Sequence, residues 1–174
     1  MGRYGIPALV AVLAGVGLLA PSAWSDSEEF KRVYQLQAHQ IVAQANLRKL
    51  ASSLEIYLSE QGSYPTDWLR EMYEEPERDG GFTYGPAEFA FDIQSSPSKT
   101  MQGYQYRYTP KPAGCQAGKC SGYALTAVPA GKPIFGVSVD RSFYIDHTGI
   151  LRHCLGTSEA DAADPLADDE PTPC

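Results

Sequence analysis

The residues of this chain with the clearest chemical potential are its four cysteines, Cys115, Cys120, Cys154 and Cys174. An even number of cysteines in an exported chain predicts two disulfides, and three pairings are possible. The sequence favours Cys115–Cys120, which closes a short loop between two strands, and Cys154–Cys174, which ties an acidic tail to the last strand. Because Cys115 and Cys120 lack the CxxC spacing, a redox-active dithiol is disfavoured.

Metal binding is the next chemistry that the residue types allow. A zinc site would need His147 and His153, which lie across a predicted hairpin without a ligand-spaced cysteine pair. The acids of the tail could supply oxygen ligands for calcium, and these candidates are Asp161, Asp164, Asp168 and Asp169. No Gly-marked loop with alternating acids is present, so a solvated acidic loop is the simpler interpretation. We therefore expect no cofactor, with calcium as the alternative.

Acid–base catalysis by Asp146 and His147 would require a nucleophile, and no residue beside them carries such a signature. The run from Asp146 to Gly149 instead has the composition of a hairpin turn, in which Gly149 is free to take a positive φ. We therefore predict that the chain has no catalytic residue and is not an enzyme.

The first 25 residues are typical of an export segment. They carry Arg3 as their charge, followed by an apolar run over residues 6–20. Ala23 and Ser25 occupy the positions that a signal peptidase accepts, which predicts cleavage before Asp26. The alternative is that residues 6–24 are retained as an anchor in the inner membrane. Either way, we expect the protein in the periplasm or at the cell surface.

Length and charge limit the classes of function. A chain of 174 residues predicts one domain with a modest core. The formal net charge of −7 disfavours binding to nucleic acid and to anionic lipid headgroups, since an acidic protein gains nothing from counterion release.

The element that must position these residues is a long helix, predicted over residues 27–61. Asp26 and Glu29 have the form of an N-cap and its reciprocal carboxylate, and Gly62 followed by Pro65 ends the helix. An apolar stripe at helical spacing marks the buried face of its second half, and it consists of Leu47, Leu50, Ala51, Leu54, Tyr57 and Leu58. The first half has a ragged stripe, so we expect it to protrude or pack loosely.

A mixed connector over residues 66–99 precedes a predicted sheet over residues 103–154. The strand candidates are residues 103–110, 122–129, 133–139, 142–146 and 149–153. Alternation in the first of these places Tyr104, Tyr106 and Tyr108 on one face. That face is predicted to pack under the helix, and stacking on a sugar or a partner is the alternative.

This order of elements predicts an α+β fold, in which a long N-terminal helix packs across a small antiparallel sheet of about four strands. The domain boundaries that follow are an export segment at residues 1–25, a main domain at residues 26–154 and an acidic, disulfide-tethered tail at residues 155–174.

The helix and strand motifs resemble those of type IV pilins and type II secretion pseudopilins over roughly residues 46–152. In the helix and the turn after it, the matching residues are Asn46, Leu47, Arg48, Leu50, Ala51, Leu54, Glu55, Tyr57, Tyr64 and Pro65. In the strands they are Tyr106 with Tyr108, residues 123–129 and residues 143–149. The resemblance implies a pilin-like fold and a non-enzymatic role as an accessory or minor subunit of a type IV pilus or type II secretion-type assembly.

The resemblance also implies a second processing site, between Gly5 and Ile6, where a prepilin peptidase would cut. Val10 stands where the family usually has a Glu that pairs with a neighbour's amino terminus, and this departure predicts poor self-polymerisation. The partners implied are other pilin or secretion-system subunits. The alternative function is a soluble, secreted periplasmic module that uses the same fold to bind a ligand or partner.

Overall fold

A computed structural model describes residues 22–95, 99–130 and 141–174 of the chain. Contacts divide the chain after Val33, and packing is described for the unit Tyr34–Cys174. The sequence predictions that lie outside the described residues are the strand at residues 133–139, the prepilin-type site at Gly5 and Ile6, the role of Val10 and, apart from residues 22–25, the export segment or anchor.

The chain contains one long helix, α1, described over Ser22–Gln61. It extends five residues before the predicted start at residue 27 and includes the predicted cap residue Asp26. At the other end, the Gly62 amide donates to the Leu58 carbonyl at 2.8 Å, and Gly62 takes a φ of 75°. Because glycine adopts this left-handed conformation without steric cost, it ends the helix where the sequence predicts.

The second half of α1 buries the face that its apolar stripe predicts. Five of the six stripe residues are buried, and Leu58 is partly buried against the same cluster. Ser53 is also buried, and its hydroxyl donates to the Lys49 carbonyl. Earlier in the helix, Tyr34 and Ile41 are 59% and 67% exposed, so this part makes little contact with the core.

The connector folds back with short helical pieces. A π-helical turn, Arg70–Glu74, leads into α2, Glu75–Arg78, and a 3-10 turn follows at Ala87–Phe89. Its apolar side chains join the core, and those with no exposure are Trp68, Met72, Phe89 and Ile93. The connector is therefore part of the folded unit.

Within the described residues, the sheet has six strands in the order β1-β2-β3-β4-β5-β6. They are β1 Thr100–Met101, β2 Tyr104–Lys111, β3 Gly122–Pro129, β4 Arg141–Asp146, β5 Leu151–Leu155 and β6 Thr172–Pro173. All neighbouring pairs are antiparallel except β5 with β6, which is parallel.

The sheet therefore corrects the prediction of about four antiparallel strands. The two additional strands, β1 and β6, are two residues long, which is too short for an alternating pattern to mark them. β6 lies in the tail and reaches β5 through a long connection, and long connections allow parallel pairing. The fold is α+β with a six-stranded mixed sheet.

One hydrophobic core joins the buried face of α1, the connector and one face of the sheet. Asn46 on α1 donates to the Tyr106 hydroxyl on β2 at 3.0 Å, and the Tyr108 hydroxyl donates to the Pro65 carbonyl at 2.6 Å. The tyrosines of β2 thus bury their rings and satisfy their hydroxyls, which is the condition for placing tyrosine in a core.

Candidate functional site

The turn after α1 is organised by a buried carboxylate, that of Glu71, which is 8% exposed. It accepts hydrogen bonds from the Tyr57 hydroxyl at 2.8 Å, from the Asp67 amide at 3.2 Å and from the Arg70 guanidinium at 3.0 Å. Thr66 donates to it through both its hydroxyl and its amide. Glu71 therefore ties the end of α1 to the connector.

The hydrogen bonds to Glu71 favour its charged form. Burial alone would raise its pKa, but the bonds from Thr66, Tyr57 and Arg70 outweigh burial and lower the pKa below its ordinary value. Burial, and then the hydrogen bond to Glu71, raise the pKa of Tyr57. The pair is a charged acceptor with a neutral donor, an arrangement that stabilises the fold and leaves no group ready to exchange protons near neutral pH.

The tyrosine stripe predicted on β2 is buried. Tyr104, Tyr106 and Tyr108 are each at most 2% exposed. Their rings are therefore unavailable for stacking on a sugar or a partner, which was the alternative that the sequence left open.

The four cysteines form two disulfides, Cys115–Cys120 and Cys154–Cys174. These are the pairings that the sequence favours. The first closes the loop between β2 and β3, and the second joins β5 to the end of the tail. The disulfides indicate an oxidising, exported environment.

Two acids of the tail, Asp161 and Asp164, accept hydrogen bonds from backbone amides within its turns. The Asp161 amide donates to the Asp164 carboxylate at 2.7 Å, and the Ala163 amide donates to the Asp161 carboxylate at the same distance. Among the described residues, no group of three or more His, Cys, Asp or Glu side chains is placed to hold a metal ion. Asp161, Asp164, Asp168 and Asp169 are thus not brought together as a calcium site.

Asp146 and His147 lie in the hairpin between β4 and β5. The Asp146 carboxylate accepts the Thr148 amide at 2.9 Å and the Tyr144 hydroxyl at 3.1 Å, and Gly149 takes a φ of 74°. Burial opposes ionisation of Asp146, yet the bonds from Thr148 and Tyr144 lower its pKa. Asp146 is therefore a turn residue held as a carboxylate.

His153, on β5, is fully buried. Its Nε2 lies 3.0 Å from the Asp169 carbonyl oxygen, and since a carbonyl can only accept, Nε2 carries the hydrogen. The other ring nitrogen, Nδ1, has no hydrogen-bond partner among the described residues. Burial, and then the charge of Arg141, lower the pKa of His153. It therefore holds the tail as a neutral imidazole, and among the described residues it belongs to no group of side chains placed to hold a metal ion.

A groove beside the end of α1 combines aromatic and acidic side chains. It has a volume of about 370 Å³, and its walls include Tyr57, Glu60, Glu75 and Tyr84. Phe82 lies at its mouth with 98% of its surface exposed. A fully exposed phenylalanine is costly in water, so the groove is a candidate contact surface for a partner.

A second concave site lies on the face of the sheet opposite the tyrosine stripe. This outer-face pocket has a volume of about 200 Å³ and is lined mainly by Gln105, Arg107, Thr126, Thr157 and Glu159. The Arg107 guanidinium pairs with the Glu159 carboxylate at 3.0 Å, and both side chains are 46% exposed. The Thr126 hydroxyl is buried and has no hydrogen-bond partner among the described residues.

No motif in the sequence marks Glu71, Arg107 or Thr126 as site residues. Strand alternation puts Arg107 on the face away from the tyrosines, and that signal was available. Pairing of Arg107 opposite Thr126 depends on the register between β2 and β3, which one sequence does not reveal. Three donors to Glu71 lie within five residues of it, those of Thr66, Asp67 and Arg70, and the bond from Tyr57 on α1 is the one that depends on the tertiary structure.

Of the two predicted processing sites, one lies within the described residues. Ser25 and Asp26 lie within the described range of α1, whereas Gly5 and Ile6 are outside the described residues. None of the helices in the described part of the chain has a stretch long and apolar enough to span a bilayer.

No family model, no curated protein and no solved structure matches this chain.

Proposed function

We propose that this protein is a pilin-like or pseudopilin-like component of the cell envelope, without enzymatic activity, that acts as an accessory or minor subunit of a type IV pilus or type II secretion-type assembly. The observation that carries the proposal is the shared core of α1 and the β2 tyrosines. There, Asn46 and Tyr106, both part of the sequence resemblance, contact each other directly at 3.0 Å.

Two further features support a role in assembly. The earlier turns of α1 expose Tyr34 and Ile41, whereas its later turns are buried in the core. An exposed apolar helical surface of this kind suits contact with a partner helix. The disulfide-tethered tail adds the edge strand β6 to the sheet, and its disulfide is of the kind that persists in an oxidising compartment.

Non-enzymatic action is part of the proposal. Glu71, Asp146 and His153 have pKa values that the fold lowers, and each of them makes hydrogen bonds that hold a turn or the tail. The hydroxyl groups beside Glu71 and Asp146, those of Thr66 and Thr148, donate to these carboxylates within turns, so we favour contacts between proteins over catalysis.

The test is site-specific photo-crosslinking in cells that express the assembly. A photoreactive residue at position 41 is expected to give adducts with pilin or secretion-system subunits. The same residue at position 119, where Lys119 is exposed on the disulfide loop, serves as the matched control. Equal labelling at both positions, or no adduct at position 41, would contradict the proposal.

The rival function is a soluble periplasmic binding module, and the outer-face pocket is the observation that favours it. Intact mass spectrometry of the mature chain separates the two. A chain that starts at Ile6 supports the assembly subunit, and a chain that starts at Asp26 supports the soluble module.

A further inference from the structure

We propose that the outer-face pocket is a binding site for a carboxylate group, with Arg107 and Thr126 as the donors. This site goes beyond the proposed function, because it requires neither a pilus nor a secretion system.

The sheet builds the donor pair. Arg107 on β2 and Thr126 on β3 are direct register partners, so their side chains leave the same face of the sheet at adjacent positions. Side chains in such a pair start roughly 5 Å apart, close enough for one small ligand to touch both. The pocket is therefore anchored on two paired strands of the sheet, which fix the geometry of the two donors.

The Thr126 hydroxyl supplies the second, independent observation. Thr126 is 7% exposed, and its Oγ1 has no hydrogen-bond partner among the described residues. A buried hydroxyl without a partner is unfavourable, and such groups in folded proteins call for an explanation. A ligand oxygen in the pocket that this residue lines would satisfy it, after a rotation about χ1 if required.

The chemistry of the ligand follows from the present partner of Arg107. Glu159, which reaches the pocket from the tail, already offers it a carboxylate at 3.0 Å. Both side chains are about half exposed, and an exposed ion pair of this kind is weak, so a competing carboxylate can displace it. A guanidinium binds carboxylates through two parallel hydrogen bonds. The volume of about 200 Å³ is below the range usual for drug-sized ligands, which limits the ligand in the pocket to a small group.

The experiment is an NMR titration of the full, disulfide-bonded chain with sodium acetate, in which sodium chloride keeps the ionic strength constant. The signals to follow are the Arg107 Nε–H and the Thr126 backbone amide. Saturable shifts of both are expected. Glu159→Gln, which removes the resident carboxylate, should lower the acetate Kd by about threefold or more, and Arg107→Gln should abolish saturation.

Thr126→Val separates a ligand-binding hydroxyl from a structural one. The change removes a buried hydroxyl without a partner, so the melting temperature should stay equal or rise, while the acetate Kd increases. A fall in melting temperature together with an unchanged Kd would overturn the role of Thr126. Glu88→Gln is the matched control, because it also removes the acid of an exposed ion pair, Lys49–Glu88, outside the pocket. An equal gain in acetate affinity in this control would overturn the proposal, as would an absence of saturable shifts in Glu159→Gln.

A second titration identifies the source of the carboxylate. A capped tripeptide with a central glutamate is compared with acetate and with its glutamine counterpart. Tighter binding of the glutamate peptide than of acetate assigns the site to an acidic side chain of a protein partner. Equal binding of peptide and acetate assigns it to small free carboxylates. Binding of the glutamine peptide as tight as that of the glutamate peptide would contradict carboxylate recognition.

Discussion

At the scale of single residues, the buried carboxylate of Glu71 is kept ionised by the hydrogen bonds that it accepts. Its pKa lies below the ordinary value of 4.5, because the hydrogen bonds to it outweigh burial. The unfolded chain therefore takes up a proton at a higher pH than the folded chain does. The resulting stabilisation is complete above pH 4.5 and is lost as the pH falls through the folded-state pKa.

The first prediction is that Glu71→Gln lowers the free energy of unfolding by about 1–3 kcal/mol at neutral pH, because an amide NH₂ would face donors that now bind a carboxylate oxygen. Urea unfolding followed by circular dichroism measures the change. The variant should also lose less stability than the wild type on acidification below pH 4.5. Glu88→Gln, at an exposed ion pair, should change stability by less than about 1 kcal/mol. A loss in Glu71→Gln no larger than in this control would show that the cluster is not structural.

His153 gives the second prediction, which concerns a weakly acidic range. Its pKa is lowered from 6.5 by burial and by Arg141. Arg141 on β4 and the tail acids Asp164 and Asp169 lie around it. The charges of the two acids raise the pKa of His153, but they do not overcome burial. The stabilisation that the neutral His153 gives to the fold is therefore complete above pH 6.5, and it is lost as the pH falls through the folded-state pKa of His153.

We expect the wild type to lose thermal stability between about pH 7 and pH 5, and His153→Gln to lose less over the same interval. Glutamine is chosen because its amide can still donate to the Asp169 carbonyl. Differential scanning calorimetry at the two pH values makes the comparison. Parallel losses in both proteins would mean that another group controls this range.

At the scale of elements, the two disulfides constrain chain segments of different length. Cys115–Cys120 closes a separation of 5 residues, and Cys154–Cys174 closes a separation of 20. The entropy lost by the unfolded chain grows with loop length, so the tail disulfide should stabilise more than the loop disulfide.

The third prediction is a loss of about 2 kcal/mol when Cys115 and Cys120 are both changed to serine, and of about 3 kcal/mol when Cys154 and Cys174 are changed. Chemical denaturation under nonreducing conditions compares the two double variants. Peptide mapping of the wild type without reduction checks the pairings themselves. A peptide that joins Cys115 to Cys154 or Cys174 would contradict them, and an equal loss in both variants would contradict the loop-length argument.

At the scale of the whole molecule, the two disulfides indicate an oxidising, exported environment. The formal charge of −7 predicts little affinity for nucleic acid or anionic lipid headgroups. Assembly through the N-terminal segment would depend on Val10, which is outside the described residues. In pilin-like assembly, a Glu at this position would offer a charge partner to the amino terminus of a neighbouring subunit.

The fourth prediction is that Val10→Glu increases incorporation into filaments, because a charged terminus in hydrocarbon is costly without a partner. Sheared-fibre fractions from cells that contain the pilin machinery measure incorporation. Val10→Gln is the matched control, since it adds polarity without charge. Homopolymeric fibres formed as readily by the unmodified protein would contradict the accessory-subunit proposal.

The sequence by itself determined the features that depend on local pattern. Helical spacing identified the buried stripe of α1, Gly62 marked its end, and alternation identified the buried tyrosines of β2. The two disulfide pairings that the sequence favours are those of the structure. The helix and strand features depend on residues a few positions apart, and four cysteines allow three pairings. The sequence pattern is therefore enough to predict these features.

Only the tertiary structure decided the features that depend on distant segments. The parallel pairing of β6 with β5, the bond from Tyr57 to Glu71 and the bond from His153 to the tail each join different elements of the chain. The outer-face pocket needs a strand register in addition, because a slip of one residue would turn Arg107 to the opposite face. These contacts form when the chain buries its apolar surface cooperatively, so the pattern of a single segment does not predict them.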